Sequence, residues 1–106
     1  MTVRLSKIEV KGDLLEILVR TAVMKEMEAV NRCVKQKEMK TSSLKGEGLF
    51  TLLVGHDGRV KEGRVEKGTT IAEDLSRCIL EILKAIRFHA DSGRQDVSLK
   101  FTFTLG

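Results

Sequence analysis

The clearest pattern of apolar and polar positions lies near the end of the chain. From Asp96 to Leu105 the two kinds of residue alternate without a break. Successive side chains of a β-strand point to opposite faces, so the pattern predicts a strand with one buried and one solvated face. Its apolar members are Val97, Leu99, Phe101, Phe103 and Leu105, and its polar members are Asp96, Ser98, Lys100, Thr102 and Thr104.

Three other segments have the character of strands. Val3 to Val10 is one, although its alternation slips between Leu5 and Ile8. The other two run from Glu47 to Gly55 and from Arg59 to Glu66, with Phe50, Leu52 and Val54 on one face of the first. The triplet His56-Asp57-Gly58 separates them, and Asp-Gly supplies the positive φ angles of a tight turn. These two strands are therefore predicted to form a hairpin.

Two longer segments have the spacing of amphipathic helices. Leu14 to Lys37 is predicted as one helix with Asp13 as its N-cap, and the polar stretch from Glu38 to Gly46 as a loop. Thr70 to Glu73 matches a capping box, which predicts a second helix up to Arg87. The first apolar stripe is Leu15, Val19, Val23, Met27, Val30 and Val34; the second is Ile71, Leu75, Cys78, Ile79, Ile82, Leu83 and Ile86.

The predicted order is β-α-β-β-α-β. Both helices have to cover the apolar face of the same antiparallel sheet, which gives an α+β fold. A length of 106 residues fits one domain spanning 1–106. Because a strand follows Met1 almost directly, we expect this domain to be part of a longer protein.

Composition and charge argue against several classes of protein. The net charge is +4, from 19 basic and 15 acidic residues that are interleaved along the chain. A nucleic-acid site usually needs a stripe of one sign, and an RNA-recognition sheet needs exposed aromatic residues. Tyr and Trp are absent, and the strand phenylalanines fall on the apolar face. No apolar run approaches the roughly 20 residues of a membrane span, and no signal peptide is recognisable.

No combination of residues predicts catalysis or a cofactor. His56 falls in the hairpin turn and His89 after the second helix, neither near a carboxylate or cysteine at a useful spacing. The carboxylates fall on polar faces, turns and caps, and a general acid–base pair would need two that converge. Phosphate-binding glycine patterns are absent. We therefore expect a binding module and no enzyme, catalytic site, metal or cofactor.

The two cysteines lie 45 positions apart, on or beside the stripes of the two helices. A structural zinc site needs four ligands, and Cys33 and Cys78 have neither a C-x-x-C motif nor a nearby histidine. Both helices cover the same face of the sheet, so the sulfur atoms could meet. Two interpretations stay open on this basis: a pair of buried free thiols, or a disulfide between the helices.

The hairpin and the cysteines together resemble a known family. Gly46 to Val60 reads G-E-G-L-F-T-L-L-V-G-H-D-G-R-V, which resembles the D-G-R-V hairpin of TonB C-terminal domains. With Val30-Asn31-Arg32-Cys33 before it and Ser76-Arg77-Cys78-Ile79 after it, the chain is most similar to the AgmX/PglI C-terminal domain of adventurous gliding motility proteins. The resemblance covers Leu15 to Leu105. The chain differs from the family at two places. Val34 stands where the family often has an aromatic residue, and Phe88-His89 stands where it often has an aromatic-Pro pair.

The resemblance implies a periplasmic protein-interaction domain of an inner-membrane-anchored, envelope-spanning machine for motility or force transmission. It favours a disulfide between Cys33 and Cys78. It implies protein or peptide partners in the envelope, bound by strand addition to a sheet edge, and a second copy of the chain is a further partner class. The alternatives are a TonB-type energy transducer and a cytosolic nucleic-acid-binding or regulatory domain. The expected binding edge is the closing strand: Val97, Ser98, Leu99, Lys100, Phe101, Thr102 and Phe103.

Overall fold

The computed structural model of the chain describes residues 2–38 and 45–106, with the backbone alone at 37 and 38. Within these ranges an α+β arrangement of seven elements is present, which confirms the expected class. Three helices stand where two were predicted. The order is β1 (Val3–Lys11), α1 (Glu16–Met24), α2 (Met27–Glu38), β2 (Gly46–Val54), β3 (Val60–Val65), α3 (Glu73–Lys84) and β4 (Val97–Leu105). Most of the predicted loop, 39–44, lies outside the described residues.

The four strands form one antiparallel sheet in the order β1-β4-β2-β3. β4 pairs with β1 from Leu105 opposite Val3 to Ser98 opposite Lys11. Its other side pairs with β2 along the whole strand, ending with Val97 opposite Val54. The chain closes by inserting its last strand between two earlier ones. β1 and β3 are therefore the edges of the sheet.

One face of the sheet carries the core. β2 and β4 alternate buried and half-exposed side chains, because every second residue points at the helices. Phe50 and Phe103 pack edge to face with ring centroids 5.6 Å apart, a favoured arrangement for aromatic pairs. The helices supply the other side of this core with Val19, Val23, Val30, Val34, Leu75, Ile79 and Leu83, none of which is exposed.

The first predicted helix is interrupted, so its prediction as one long element is wrong. The Glu26 N–H donates to the Val23 carbonyl, three residues back, and this tighter turn separates α1 from α2. The Thr21 hydroxyl also donates to the carbonyl of Ile17 at 2.8 Å, a contact that commonly bends helices. Asp13 is not the cap, since Leu15 occupies that position without a side-chain hydrogen bond. In the described ranges no helix is long and apolar enough to cross a bilayer.

The predicted capping box of α3 is also wrong. The N-cap is Ala72, which has no side-chain capping bond. The Thr70 hydroxyl instead accepts a hydrogen bond from the backbone N–H of Glu47, at 2.8 Å. Thr69 does the same for the N–H of Leu49, at 3.0 Å. The two threonines thus fasten the segment before α3 to β2.

Candidate functional site at the free edge of β3

A disulfide joins the two helices beneath the sheet. Sγ of Cys33 on α2 and Sγ of Cys78 on α3 are 2.05 Å apart, which confirms the pairing that the resemblance implied. Cys33 is 3% exposed and belongs to the core. Such a bond persists in an oxidising compartment, so it is compatible with a periplasmic setting. Its place inside the helix layer gives it a structural role.

The expected binding strand is not an edge. Val97 to Phe103 lie in β4, which is hydrogen-bonded to β1 on one side and β2 on the other. The sequence showed that this strand alternates, but it did not show which strands flank it. With both sides already paired, β4 has no backbone groups left for an added strand. The prediction that it is the edge is therefore wrong, and strand addition is left to β1 or β3.

The β1 edge is interrupted along its length. Its pairing with β4 shifts register between Leu5 and Lys7, so Ser6 forms a bulge, which explains the slip in alternation seen in the sequence. The N–H of Val3 already donates to Oδ1 of Asn31 on α2, at 2.8 Å. Bulges and charged residues such as Lys7 are devices by which proteins keep edge strands from pairing. β1 is thus poorly suited to take another strand.

The β3 edge presents free backbone groups at defined residues. The N–H of Glu66 donates to the carbonyl of Leu49 at 2.8 Å, and Val65 lies opposite Phe50. Hydrogen-bonded and non-hydrogen-bonded pairs alternate along an antiparallel ladder. Arg64 therefore directs its N–H and C=O toward β2, whereas Gly63 and Val65 direct theirs away from the sheet. These four groups form a short row for a further strand.

Gly63 lets α3 come close to this edge. A Cβ at Gly63 would lie 2.8 Å from Cγ of Lys84 and 2.9 Å from Cδ2 of Leu52, closer than such atoms approach. The aliphatic stem of Lys84 therefore crosses the position where a side chain would stand. Lys84 and Gly63 also line the same hollow.

Two hollows lie along the same edge, one near each end of β3. The polar hollow, about 440 Å³, includes Thr51, Lys61, Glu62, Arg64 and Lys84. The apolar hollow, about 420 Å³, lies between α3 and the end of β3 and includes Val65, Ile71, Ser76, Arg77 and Leu80. Val65 is 37% exposed, high for a strand valine facing the helices. The apolar hollow has α3 as one wall, whereas the polar hollow reaches the solvated face of the sheet, where Thr51, Leu53 and Ser98 line it.

The solvated face beside this edge carries exposed ion pairs. Nε of Arg64 donates to Oε1 of Glu66 at 2.7 Å, and this hydrogen bond is the main reason that the pKa of the Glu66 carboxyl is lowered. Nζ of Lys61 donates to Oδ2 of Asp96 at 3.0 Å. Exposed pairs of this kind are worth little individually and can be exchanged for a ligand's charge.

The hairpin that carries β3 is anchored at its tip. Gly58 has the predicted positive φ, +84°, whereas Asp57 does not, and the Gly58 carbonyl accepts from the N–H of Phe88 at 2.8 Å. Arg94, 6% exposed, donates from Nη2 to the Gly55 carbonyl at 2.7 Å and from Nη1 to the His89 carbonyl at 2.8 Å. Sequence reasoning missed Arg94, because an arginine in a polar loop carries no signal of burial. These bonds hold the β2–β3 hairpin in place.

A second surface is apolar without forming a groove. Among the described side chains, four of the five most exposed large apolar ones lie on or next to α1: Leu15 at 67%, Ile17 at 64%, Met24 at 53% and Leu18 at 38%. We call them the α1 patch. α1 packs over β1, at the opposite side of the sheet from β3, so the strand beside this patch is the bulged edge strand β1.

The described residues contain no cluster of side chains suited to hold a metal ion. Within ranges 2–38 and 45–106, no three His, Cys, Asp or Glu side chains are grouped closely enough to hold a metal ion. Both histidines are exposed.

Comparison with protein-family models, with curated proteins and with solved structures found no match for this chain.

Proposed function

We propose that this chain is a non-catalytic protein-interaction domain that binds an extended peptide segment by adding it to the β3 edge. The observation that carries the proposal is the row of outward backbone groups at Gly63 and Val65, with a hollow near each end. Main-chain hydrogen bonds supply affinity in this mode of recognition, and hollows beside the edge supply selectivity. The anchored hairpin supports it, because a preorganised edge loses little entropy on binding.

The proposed setting is the periplasmic side of an envelope-spanning machine. Two features support it: the disulfide between Cys33 and Cys78, and the resemblance of the hairpin and cysteines to the AgmX/PglI C-terminal domain. In such a machine the domain transmits motility force or proton-motive energy by holding a segment of an envelope partner. The partner segment belongs to a protein in the same oxidising compartment.

A peptide screen with residue-level mapping tests the binding mode. Peptides from a random display library, together with extended segments of envelope proteins and of outer-membrane receptors, are titrated into the isotope-labelled oxidised domain. We expect the amide resonances of Gly63 and Val65 to shift and their hydrogen exchange to slow on saturation. Selection of receptor segments would assign the domain to nutrient uptake, and selection of other envelope segments to a motility machine.

Val65→Pro provides the matched loss of function. Its N–H points away from the sheet, so proline removes a donor to the ligand without removing a ladder bond. Val65→Ala is the control, because it trims the same side chain and keeps the N–H. We expect the proline variant to fold and to bind at least tenfold more weakly than the alanine variant. Equal binding by both, or resonance shifts confined to the α1 patch, would refute strand addition at β3.

A further inference from the structure

We infer that the peptide bound at β3 carries an apolar side chain followed two residues later by a carboxylate, in the order apolar-x-Asp/Glu. This inference rests on the proposed function, since it assigns side chains to a strand added at that edge. The inference is based on the side chains that surround Val65 and Gly63, the two residues whose backbone groups face outward.

The two ligand residues that pair with Val65 and Gly63 lie on the same face of the sheet. Val65 is opposite Phe50 and Gly63 is opposite Leu52, and Phe50 and Leu52 both point into the core. Residues directly opposite each other in a ladder share a face. The ligand residues opposite Val65 and Gly63 therefore point toward α3, and they are two positions apart in the peptide. The intervening residue points to the solvated face.

The position opposite Val65 favours an apolar side chain. It adjoins the apolar hollow, where Val65, Ile71 and Leu80 offer carbon surface between β3 and α3. About 420 Å³ is ample for a leucine, isoleucine or phenylalanine side chain. Filling it would cover Val65, which is now 37% exposed. Burial of this apolar surface anchors the peptide and sets its register.

The position opposite Gly63 favours a carboxylate. The stem of Lys84 lies over Gly63, with its side chain 43% exposed and its ammonium 3.8 Å from Oε1 of Glu81. A separation near the limit of an ion pair leaves the ammonium able to bind another acid. The other basic side chains of the polar hollow are already paired, Lys61 with Asp96 at 3.0 Å and Arg64 with Glu66 at 2.7 Å. Lys84 is therefore the cation that would bind an aspartate or glutamate of the ligand.

The order of the two ligand residues follows from strand direction. β3 runs from Gly63 to Val65, so an antiparallel ligand meets Val65 first and Gly63 second. Antiparallel pairing is slightly more stable per residue than parallel pairing, which gives apolar-x-acid. A parallel ligand would carry acid-x-apolar instead, and both orders belong in the experiment.

The experiment compares octapeptides that share one Thr/Val background: three differ only at the position of the acid, and a fourth has the apolar and acidic residues exchanged. Leu-x-Glu, Leu-x-Gln and Leu-x-Lys peptides, with the reversed Glu-x-Leu, are titrated by fluorescence anisotropy against the oxidised full chain. We expect Leu-x-Glu to bind about three- to tenfold more tightly than Leu-x-Lys, with the difference shrinking at high salt. Reversed peptide binding as tightly as Leu-x-Glu would overturn the proposed order.

Variants of Lys84 test whether this residue recognises the charge of the ligand. Lys84→Met keeps an aliphatic stem over Gly63 and removes the charge, so the preference for Glu over Lys should vanish. Lys84→Glu should reverse it, and Lys35→Glu, an exposed change of equal charge on α2, should leave it in place. Persistence of the full preference in Lys84→Met would overturn the assignment.

The outcomes separate this inference from the proposed function. If all peptides bind equally while the amides of Gly63 and Val65 become protected from hydrogen exchange, strand addition is supported and the proposed preference for a carboxylate is wrong. If no peptide protects those amides, strand addition itself fails. Leu80→Ala tests whether the two positions act independently. If they do, this variant should lower the affinities for Leu-x-Glu and Leu-x-Lys by the same factor.

Discussion

Removal of the disulfide between Cys33 and Cys78 is the perturbation whose size follows most directly from the structure. The bond closes a loop of 45 residues and links α2 to α3. In the chain-entropy model, opening such a loop in the unfolded state lowers the free energy of unfolding by about 4 kcal/mol. Small domains are stable by only about 5–15 kcal/mol. The double variant Cys33→Ala/Cys78→Ala should therefore retain its fold with much of its stability lost.

The same figure converts into a melting temperature. Unfolding entropy of about 2.1 cal/mol/K per residue over 106 residues gives a decrease of roughly 15–20 °C. The assay is urea and thermal unfolding by circular dichroism, for the wild-type chain with and without reductant and for the double variant. Reduced wild type and double variant should agree, and reductant should not affect the variant. A loss below about 1 kcal/mol would refute the entropic reasoning. Two alkylatable thiols in the native protein would refute the bond itself.

Three further changes test the anchored hairpin and its ion pair. Gly58→Ala should destabilise by about 2 kcal/mol or more in urea unfolding, because alanine resists the positive φ and its Cβ would collide with the carbonyl of Phe88. Arg94→Met should cost about 1–3 kcal/mol by removing donors from two backbone carbonyls. Arg64→Ala should raise the pKa of Glu66 toward its ordinary value in a carboxyl NMR titration. Since folding lowers that pKa, the pair stabilises the fold above a glutamate's ordinary pKa, and the contribution disappears as pH falls through the folded value.

Each of these has a matched control in the chain. Gly93→Ala tests glycine replacement where no left-handed φ is required, and it should be close to neutral. Arg87→Met removes an exposed arginine of the same loop region and should change the free energy of unfolding by under about 0.5 kcal/mol. Controls as damaging as Gly58→Ala and Arg94→Met would contradict the anchoring role. An unchanged Glu66 pKa in Arg64→Ala would contradict the ion pair.

Local patterns predicted the strands well, for a physical reason. In β4, Val97 to Leu105, each buried side chain is followed by one that is exposed or half-buried, so the alternation in the sequence is a direct record of two environments. The slip between Leu5 and Ile8 likewise records the bulge at Ser6. The Asp57-Gly58 pair marked the turn, because few residues accept a positive φ.

The helix boundaries were less predictable, because competing contacts decided them. Val19, Val23, Val30 and Val34 are all buried, so the stripe continues even though the helix breaks after Met24. Periodicity of burial does not report whether the backbone hydrogen bonds are continuous. Thr70 has the sequence of a cap, but its hydroxyl is used by the backbone of β2, a contact between residues far apart in the chain.

The sequence by itself determined the α+β class and the identity of the apolar face, because burial and local backbone geometry leave their mark residue by residue, but it left open whether the two cysteines pair. Only the tertiary structure decided which strands are the edges. A strand looks the same in sequence whether it has one neighbour or two, since the backbone groups that pair are common to all residues. Insertion of β4 between β1 and β2 moved the free edge to β3. There Gly63, Val65 and Lys84, unremarkable in the sequence, are brought together as a candidate site.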